Sequence, residues 1–442
     1  MRNLPIVSRF QVIKNSKRIL KNPLPFHNEN FKKFGDFFRV KVGGRKEIIF
    51  TRNSGLIKHI LQKQHRKYQK STLQTIDLAK YIGHGILTSN GEHWRTHRRM
   101  VQPAFHKKKL ENLMGTIRSA ILTEIEHIAP NKTIDVYPIM SNLAFQVVAK
   151  SLFSSEDIQE QMTKLQHITE ANQRMLIREM RQPYLNWWFR LNGSLKKHQN
   201  LAKEGQAILH QLIEERRNSK IEKDDLLDML LQAKYEDGTS MSKTQLIDEV
   251  LILFTAGHET TANALSFLFY LLAKHPEIQE KIYQEIQGVD LASDDILSLI
   301  LKLTYVQQCI EEAMRLYPPA YIIDRVAIKD DEYEGLQIPK DTMVLMSIYE
   351  LHRNTDFWEA PFAFNPDRFN PSRKKEYQNY YYPFGAGPRM CVGNNFAMYE
   401  MIIAVTEIVQ KYKVITLLEE VTIVPLIALK PLDVNLEFLA RK

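Results

Sequence analysis

Cysteine is nearly absent: two residues, Cys309 and Cys391, in a chain of 442. Two cysteines cannot build a disulfide framework, so the sequence points to a reducing compartment. No Pro/Gly/Ser-rich linker, repeat or low-complexity tract divides the chain, which predicts a single domain over residues 1–442 despite a length that could hold two or three. The N-terminal stretch Met1–Lys21 is basic and broken by polar residues. It lacks the apolar run of a signal peptide or a membrane span, so the expected location is cytoplasmic, with no transmembrane segment. The chain is also short of acid: 60 Lys+Arg face 51 Asp+Glu, for a formal charge of +9. The basic clusters Arg95–Arg99, His106–Lys109 and Arg373–Lys375 are too dispersed for a nucleic-acid groove binder. They suit an acidic protein partner, since complementary charge speeds encounter; solvated helix faces are the alternative.

The most informative feature is Phe384-Gly385-Ala386-Gly387-Pro388-Arg389-Met390-Cys391-Val392-Gly393. Glycines at 385, 387 and 393 let backbone N–H groups approach a sulfur. Those donors, Arg389 and the positive end of a following helix favour thiolate over thiol. A thiolate so held is an electron-rich ligand for haem iron. A plain strand-to-helix turn with a buried cysteine is the structural alternative.

Helical periodicity dominates from Ser54 to about His275 and from Leu297 to Tyr317. The longest candidate helix spans Thr244–Lys274, before Pro276, and the last spans Asn394–Lys411. Strand signals occupy Phe37–Val42 and Glu47–Phe50 around Gly43-Gly44, then Tyr333–Ser347 and Val421–Phe438. The expected class is mainly α with small β-sheets. Inside the long helix, Ala256-Gly257-His258-Glu259-Thr260-Thr261 breaks local rules, because glycine and threonine are unfavourable there. Such a break suggests a functional site. The Thr260 hydroxyl can bond the Ala256 carbonyl four residues back and loosen the helix beside a small ligand, and Glu259 offers an acid for proton delivery. A zinc-protease reading of His258-Glu259 fails, because position 262 is alanine.

The cysteine loop resembles the haem-binding loop of the cytochrome P-450 family, and three further motifs fit in order from about Phe38 to the C-terminus. Glu259 and Thr260 match the family's acid–alcohol pair for oxygen activation. Trp94 and Arg98, four apart on one helix face, resemble its propionate-binding pair. Glu312 and Arg315, with Arg368 downstream, resemble its buried charge network. The resemblance further implies a propionate contact for Arg325 and, loosely, for His352. It implies haem b between the long central helix and the cysteine-loop helix, with Cys391 as axial ligand. Phe384, Gly385, Arg389, Gly393 and Ala256 would stand around the cofactor.

The implied activity is a dioxygen-dependent monooxygenase that hydroxylates, or oxidatively O-dealkylates, a small organic substrate. No flavin or iron–sulfur segment is visible, so electrons would come from a separate ferredoxin and its reductase, or from a flavodoxin. The alternatives are a peroxide-driven hydroxylase or isomerase on the same fold, or a non-enzymatic haem sensor. By resemblance the pocket would draw on Ser71–Ile86, Met175–Phe189, Leu251–Thr260, Ala320–Ile323 and Ile423–Leu429. These segments suit a lipophilic guest, although Gln74, Thr75, Asp77, Glu179 and Asn186 leave room for a polar ether. Trp187-Trp188-Phe189 reads as an access lid or as simple packing.

Overall fold

The structure is a computed structural model that describes residues 4–41, 47–154, 158–219, 221–291, 293 and 295–441. It is mainly helical with small sheets, as the sequence pattern predicts. The helix Lys243–Lys274 organises the rest. Its first turn is capped by the Ser242 side chain, which accepts the Gln245 N–H at 3.2 Å. Most of its length is apolar on every side and buried, so it runs through the core rather than over it. It packs along helix Val136–Phe153 and touches helices Thr304–Leu316 and Asn394–Lys411. The principal core cluster surrounds it.

The predicted long and last helices are found as Lys243–Lys274 and Asn394–Lys411. The stretch Leu297–Tyr317 instead forms two helices, Ile296–Lys302 and Thr304–Leu316. The break is stabilised from outside: the Glu285 carboxylate accepts the Tyr305 and Val306 N–H groups at 2.7 and 3.0 Å and so caps the second helix. The helical region Ser54–His275 is also interrupted by strands Tyr68–Gln69 and Thr133–Asp135. Each is paired with a strand hundreds of residues away, near Val326 and Leu436 respectively. Local periodicity carries no such information.

The largest sheet has six strands. Its Phe37–Val40 and Ile48–Thr51 pair antiparallel, as expected, while the Gly43-Gly44 turn lies outside the described residues. Phe38 faces Phe50 across that pair with rings stacked 5.0 Å apart. Strand Ile322–Ala327 pairs with Met343–Ser347 and sets Arg325 opposite Val344. Among the described residues, no helix is long and apolar enough to cross a membrane.

Candidate functional site

Between the long helix and the cysteine loop lies a cavity of about 390 Å³. Cys391, Arg389, Phe384, Gly385 and Gly393 line it from the loop side, and Ala256 and Thr260 line it from the long helix. Trp94 and Arg98 enter from helix Gly91–Val101, and Arg325 from its strand. Ten of the residues singled out from sequence therefore face one chamber.

The loop reaches this geometry through its glycines. Gly385 and Gly387 both hold φ +71°, a left-handed conformation that favours glycine. A Cβ at Gly387 would strike the Leu61 carbonyl, so any other residue there must displace backbone. The Cys391 N–H donates to the Phe384 carbonyl at 2.9 Å and closes the turn. Cys391 is solvent-accessible and lines the chamber, while its thiol sits deep among protein atoms. That burial raises its thiol pKa, while the Gly393 N–H and the Arg98 charge pull it back. The expectation that Arg389 acts on the sulfur is corrected: it lies over the Trp94 ring at 4.0 Å and donates to Ser89 O and Asn90 Oδ1. Arg98 is the arginine beside the loop, donating to the Met390 carbonyl at 2.8 Å.

Four cations line the chamber: Lys70, Arg98, Arg325 and Arg389. Among the described residues none of them makes an ion pair within 4.0 Å. Burial lowers the pKa of Lys70, with Arg325 and Arg389 adding repulsion and Asp324 opposing. Burial likewise lowers Arg389 to about 9, with Arg325 contributing. Buried cations that repel one another call for an anion of matching size. Haem, whose propionates would supply that charge and whose iron Cys391 would bind, meets that demand, so the residues present fit haem. Lys70 was missed in the sequence reading. Its buried approach to the Leu87 carbonyl depends on a chain reversal with no local signature.

On the long helix, Thr260 Oγ1 donates to the Ala256 carbonyl at 2.9 Å, as its spacing predicts, and the helix runs through unbroken. Thr261 repeats the pattern toward Gly257 at 3.1 Å and also lines the chamber. Glu259 stands apart. It does not line the chamber but turns to helix Gln159–Arg181, where Gln173 Nε2 donates to it at 2.9 Å. Burial raises its pKa, with Lys430 and Gln173 opposing and Glu170 adding to the rise. The acid and the alcohol thus sit one residue apart on different faces, the acid toward polar groups and the alcohol toward the chamber.

The Glu312 network lies outside the chamber and is fully connected. Arg315 Nε and Nη2 donate to the two Glu312 oxygens at 2.6 and 2.8 Å. Its three other donors reach the carbonyls of His352, Pro361 and Ala363 at 2.7, 2.8 and 3.1 Å. Arg368 Nε adds a contact to Glu312 Oε1 at 3.3 Å. His352 belongs to this network, not to the chamber, which corrects its assignment as a propionate contact. Its Nε2 accepts the Tyr382 N–H at 2.9 Å, and burial holds it neutral, well below its usual pKa.

The expected pocket segments are corrected as well. Gln74 and Ile86, Ile252 through Thr260, and Ala320 through Ile323 supply lining residues, but Met175–Phe189 and Ile423–Leu429 supply none. Trp187 and Trp188 are surface residues, 64% and 45% exposed, while Phe189 is buried. The His93 and His97 rings lie 4.4 Å apart, tilted by 45°, and no group of three or more potential metal ligands occurs among the described residues.

A haem chamber over a cysteine loop, on a helical scaffold with small sheets, defines a class of haem-thiolate enzyme. The family model for cytochrome P450 matches residues 2–437, and the chain belongs to that family. Cytochrome P450 4A10 of Mus musculus is 33% identical over 360 residues, covering 74% of this chain and 69% of that protein. Pentalenene oxygenase of Streptomyces avermitilis is 27% identical over 408 residues, covering 91% and 89%. Among solved structures, the retinoic acid bound cyanobacterial CYP120A1 superposes with a TM-score of 0.83 at 24% identity, covering 97% of this chain and 96% of that one. The cytochrome P450DA heme domain gives 0.86 at 21%, covering 99% and 97%. The chain is an oxidoreductase of the monooxygenase type, and proteins of its family bind haem through a cysteine thiolate.

Proposed function

We propose that this chain hydroxylates a lipophilic small molecule, with Cys391 as the haem ligand and Thr260 and Glu259 as the proton-handling pair. The single observation that carries the reading is one chamber lined by Cys391 from the loop and by Thr260 from the long helix. Haem, when bound, supplies activation of dioxygen and one-electron chemistry. Lys70, Arg325, Arg389 and Trp94 would hold its propionates, and Arg98 steadies the cysteine loop through Met390 O. Thr260 offers a hydroxyl at the chamber wall, and Glu259 draws protons from the polar side shared with Gln173, Glu170 and Lys430. That pair argues for dioxygen rather than peroxide as the oxidant.

The chamber lining includes Ile86, Leu87, Leu253, Ala256 and Ile323, which suits an apolar guest. Relatives named for pentalenene and for cyclooctat-9-en-7-ol support a terpenoid-like substrate. The amide of Gln74, a polar residue of the lining, is tied to Asp324. Hence O-demethylation of a polar ether is the second choice. Electrons come from a separate ferredoxin and its reductase, or a flavodoxin, in the cytoplasm. The exposed run His106–Lys109 supports an acidic partner, because it follows Phe105, which stands beside Gly393. The whole chain acts as one domain.

An optical titration of the purified ferric protein tests the substrate class. Terpenoids and fatty acids are expected to shift the Soret band to the high-spin form. A shift with methylated sugars alone would overturn the lipophilic assignment in favour of O-demethylation.

A further inference from the structure

The chamber wall between helices Ala79–Ile82 and Gly91–Val101 is a loop held from behind by the long helix. Two adjacent carboxylates there, Asp248 and Glu249, are 6% and 0% exposed. Asp248 Oδ2 accepts the His84 N–H at 2.8 Å, and Glu249 Oε2 accepts the Ile86 N–H at 3.0 Å. The loop has glycine where the carboxylates press against it. A Cβ at Gly83, which holds φ +80°, would collide with Asp248, and one at Gly85 would lie 2.6 Å from Glu249 Oε2. The loop's next residues, Ile86 and Leu87, line the chamber. Neither carboxylate faces it.

Resting on the reading of this cavity as the substrate chamber, we propose that Glu249 is a specificity-determining positioning residue, a proton-operated latch that fixes Ile86 and Leu87 in the chamber wall. The surroundings of Glu249 explain the switch. From its own helix it meets Asp248 and Gln245, whose Nε2 donates to Oε1 at 2.9 Å. From helix Gly91–Val101 it faces His97, whose ring lies against that of His93; from the loop it meets the backbone of Ile86; and Tyr235 lies nearby on the remaining side. Gln206, on helix Ser194–Ser219, reaches Asp248 at 3.4 Å. No lysine or arginine pairs with either carboxylate among the described residues.

Two facts about His97 complete the device. Its Nδ1 lies 3.6 Å from Glu249 Oε1 and has no hydrogen-bond partner. Burial and His93 hold the ring neutral, with a pKa of about 4. A neutral Glu249 still accepts from Ile86 and Gln245 and places no net charge among these groups. A charged Glu249, with His97 neutral and beyond hydrogen-bond reach, places an unneutralised charge in the core. Burial outweighs the opposing Ile86 and Gln245 hydrogen bonds and, with Asp248 adding repulsion, raises Glu249 to about 7 with the loop closed; opening rehydrates the carboxylate and returns it toward its ordinary value. The closed-state value is the higher one, so closure is strongest below the ordinary carboxylate range and is lost as pH rises through about 7.

The test uses the ferric holoenzyme and two iron-binding probes whose charge is constant across the range, 1,2,4-triazole and its bulky 1-benzyl derivative. On passing from about pH 6 to about pH 8, the Kd of the bulky probe is expected to rise about fivefold relative to that of the small one. Hydrogen-exchange protection of the His84 and Ile86 amides is expected to fall in parallel. Glu249→Gln mimics the neutral acid, so both readouts should become flat with pH and stay at the closed level. Should that variant fail to load haem, Gly85→Ala, which pushes the loop outward, must show the open-state probe ratio at both pH values. Equal pH dependence in wild type and Glu249→Gln, or wild-type ratios in Gly85→Ala, would overturn the latch. A pH-dependent change in protection without any change in probe ratio would leave the clamp standing and overturn its role at the chamber. Failure of the probes to bind iron at all would instead sink the haem-chamber reading on which the specificity role rests.

Discussion

Two groups of buried cations in this molecule are built on opposite plans. Arg315 is wholly enclosed, pairs with Glu312, and spends all five guanidinium donors on protein acceptors. Arg325, also buried, makes one hydrogen bond, to the Asp324 carbonyl at 2.7 Å, and no ion pair among the described residues. Lys70 is likewise buried without an ion pair, and the half-buried Arg389, although it makes two hydrogen bonds, shares the electrostatic cost. A saturated network holds the scaffold together, whereas an unsaturated one in a cavity waits for a ligand. The same residue type therefore reads as structure in one place and as function in the other, and satisfaction of donors decides which.

Substitutions can break that contrast. The largest effect is expected at Cys391: Cys391→Ser should abolish oxygen-driven turnover and the thiolate signature, read by activity and absorption, while far-UV circular dichroism stays native. Glu312→Ala should strand the charge of Arg315 and cost about 3–5 kcal/mol, seen as a lower unfolding midpoint and little haem-loaded protein. Arg325→Leu sharpens the comparison, because the signs separate. Apoprotein stability should hold or rise, since a repelling buried charge is gone, while haem affinity falls about 30-fold for a loss of about 2 kcal/mol. A drop in both would place Arg325 with the scaffold. Thr260→Ala should change least, lowering product formed per electron about tenfold with haem loading intact; fully coupled turnover would remove Thr260 from proton handling.

How much of this was legible in the sequence follows from the range of the interactions involved. The cysteine loop, the long helix and the Thr260–Ala256 bond are local, within ten residues, and periodicity with glycine placement captures them. Spacing also placed Glu312 and Arg315 on one helix face. What sequence alone missed is long-range. Lys70 meets Arg325 and Arg389 only after strand Tyr68–Gln69 pairs with strand Ile322–Ala327. His352 sits near the expected region but turns into the core, where Tyr382 and Arg315 engage it from 30 and 37 residues away. The segment Met175–Phe189 has the apolar composition of a pocket wall, yet its Trp187 and Trp188 face outward. Composition does not encode side-chain direction.

The most direct test of the central claim is the absorption spectrum of the reduced, carbon monoxide-bound holoprotein, recorded for wild type and Cys391→His side by side. The account predicts the strongly red-shifted Soret band of thiolate ligation in the wild type and its replacement by the shorter-wavelength imidazole-type band in the variant. An imidazole-type band in the wild type, or a red-shifted band that survives in Cys391→His, would contradict it.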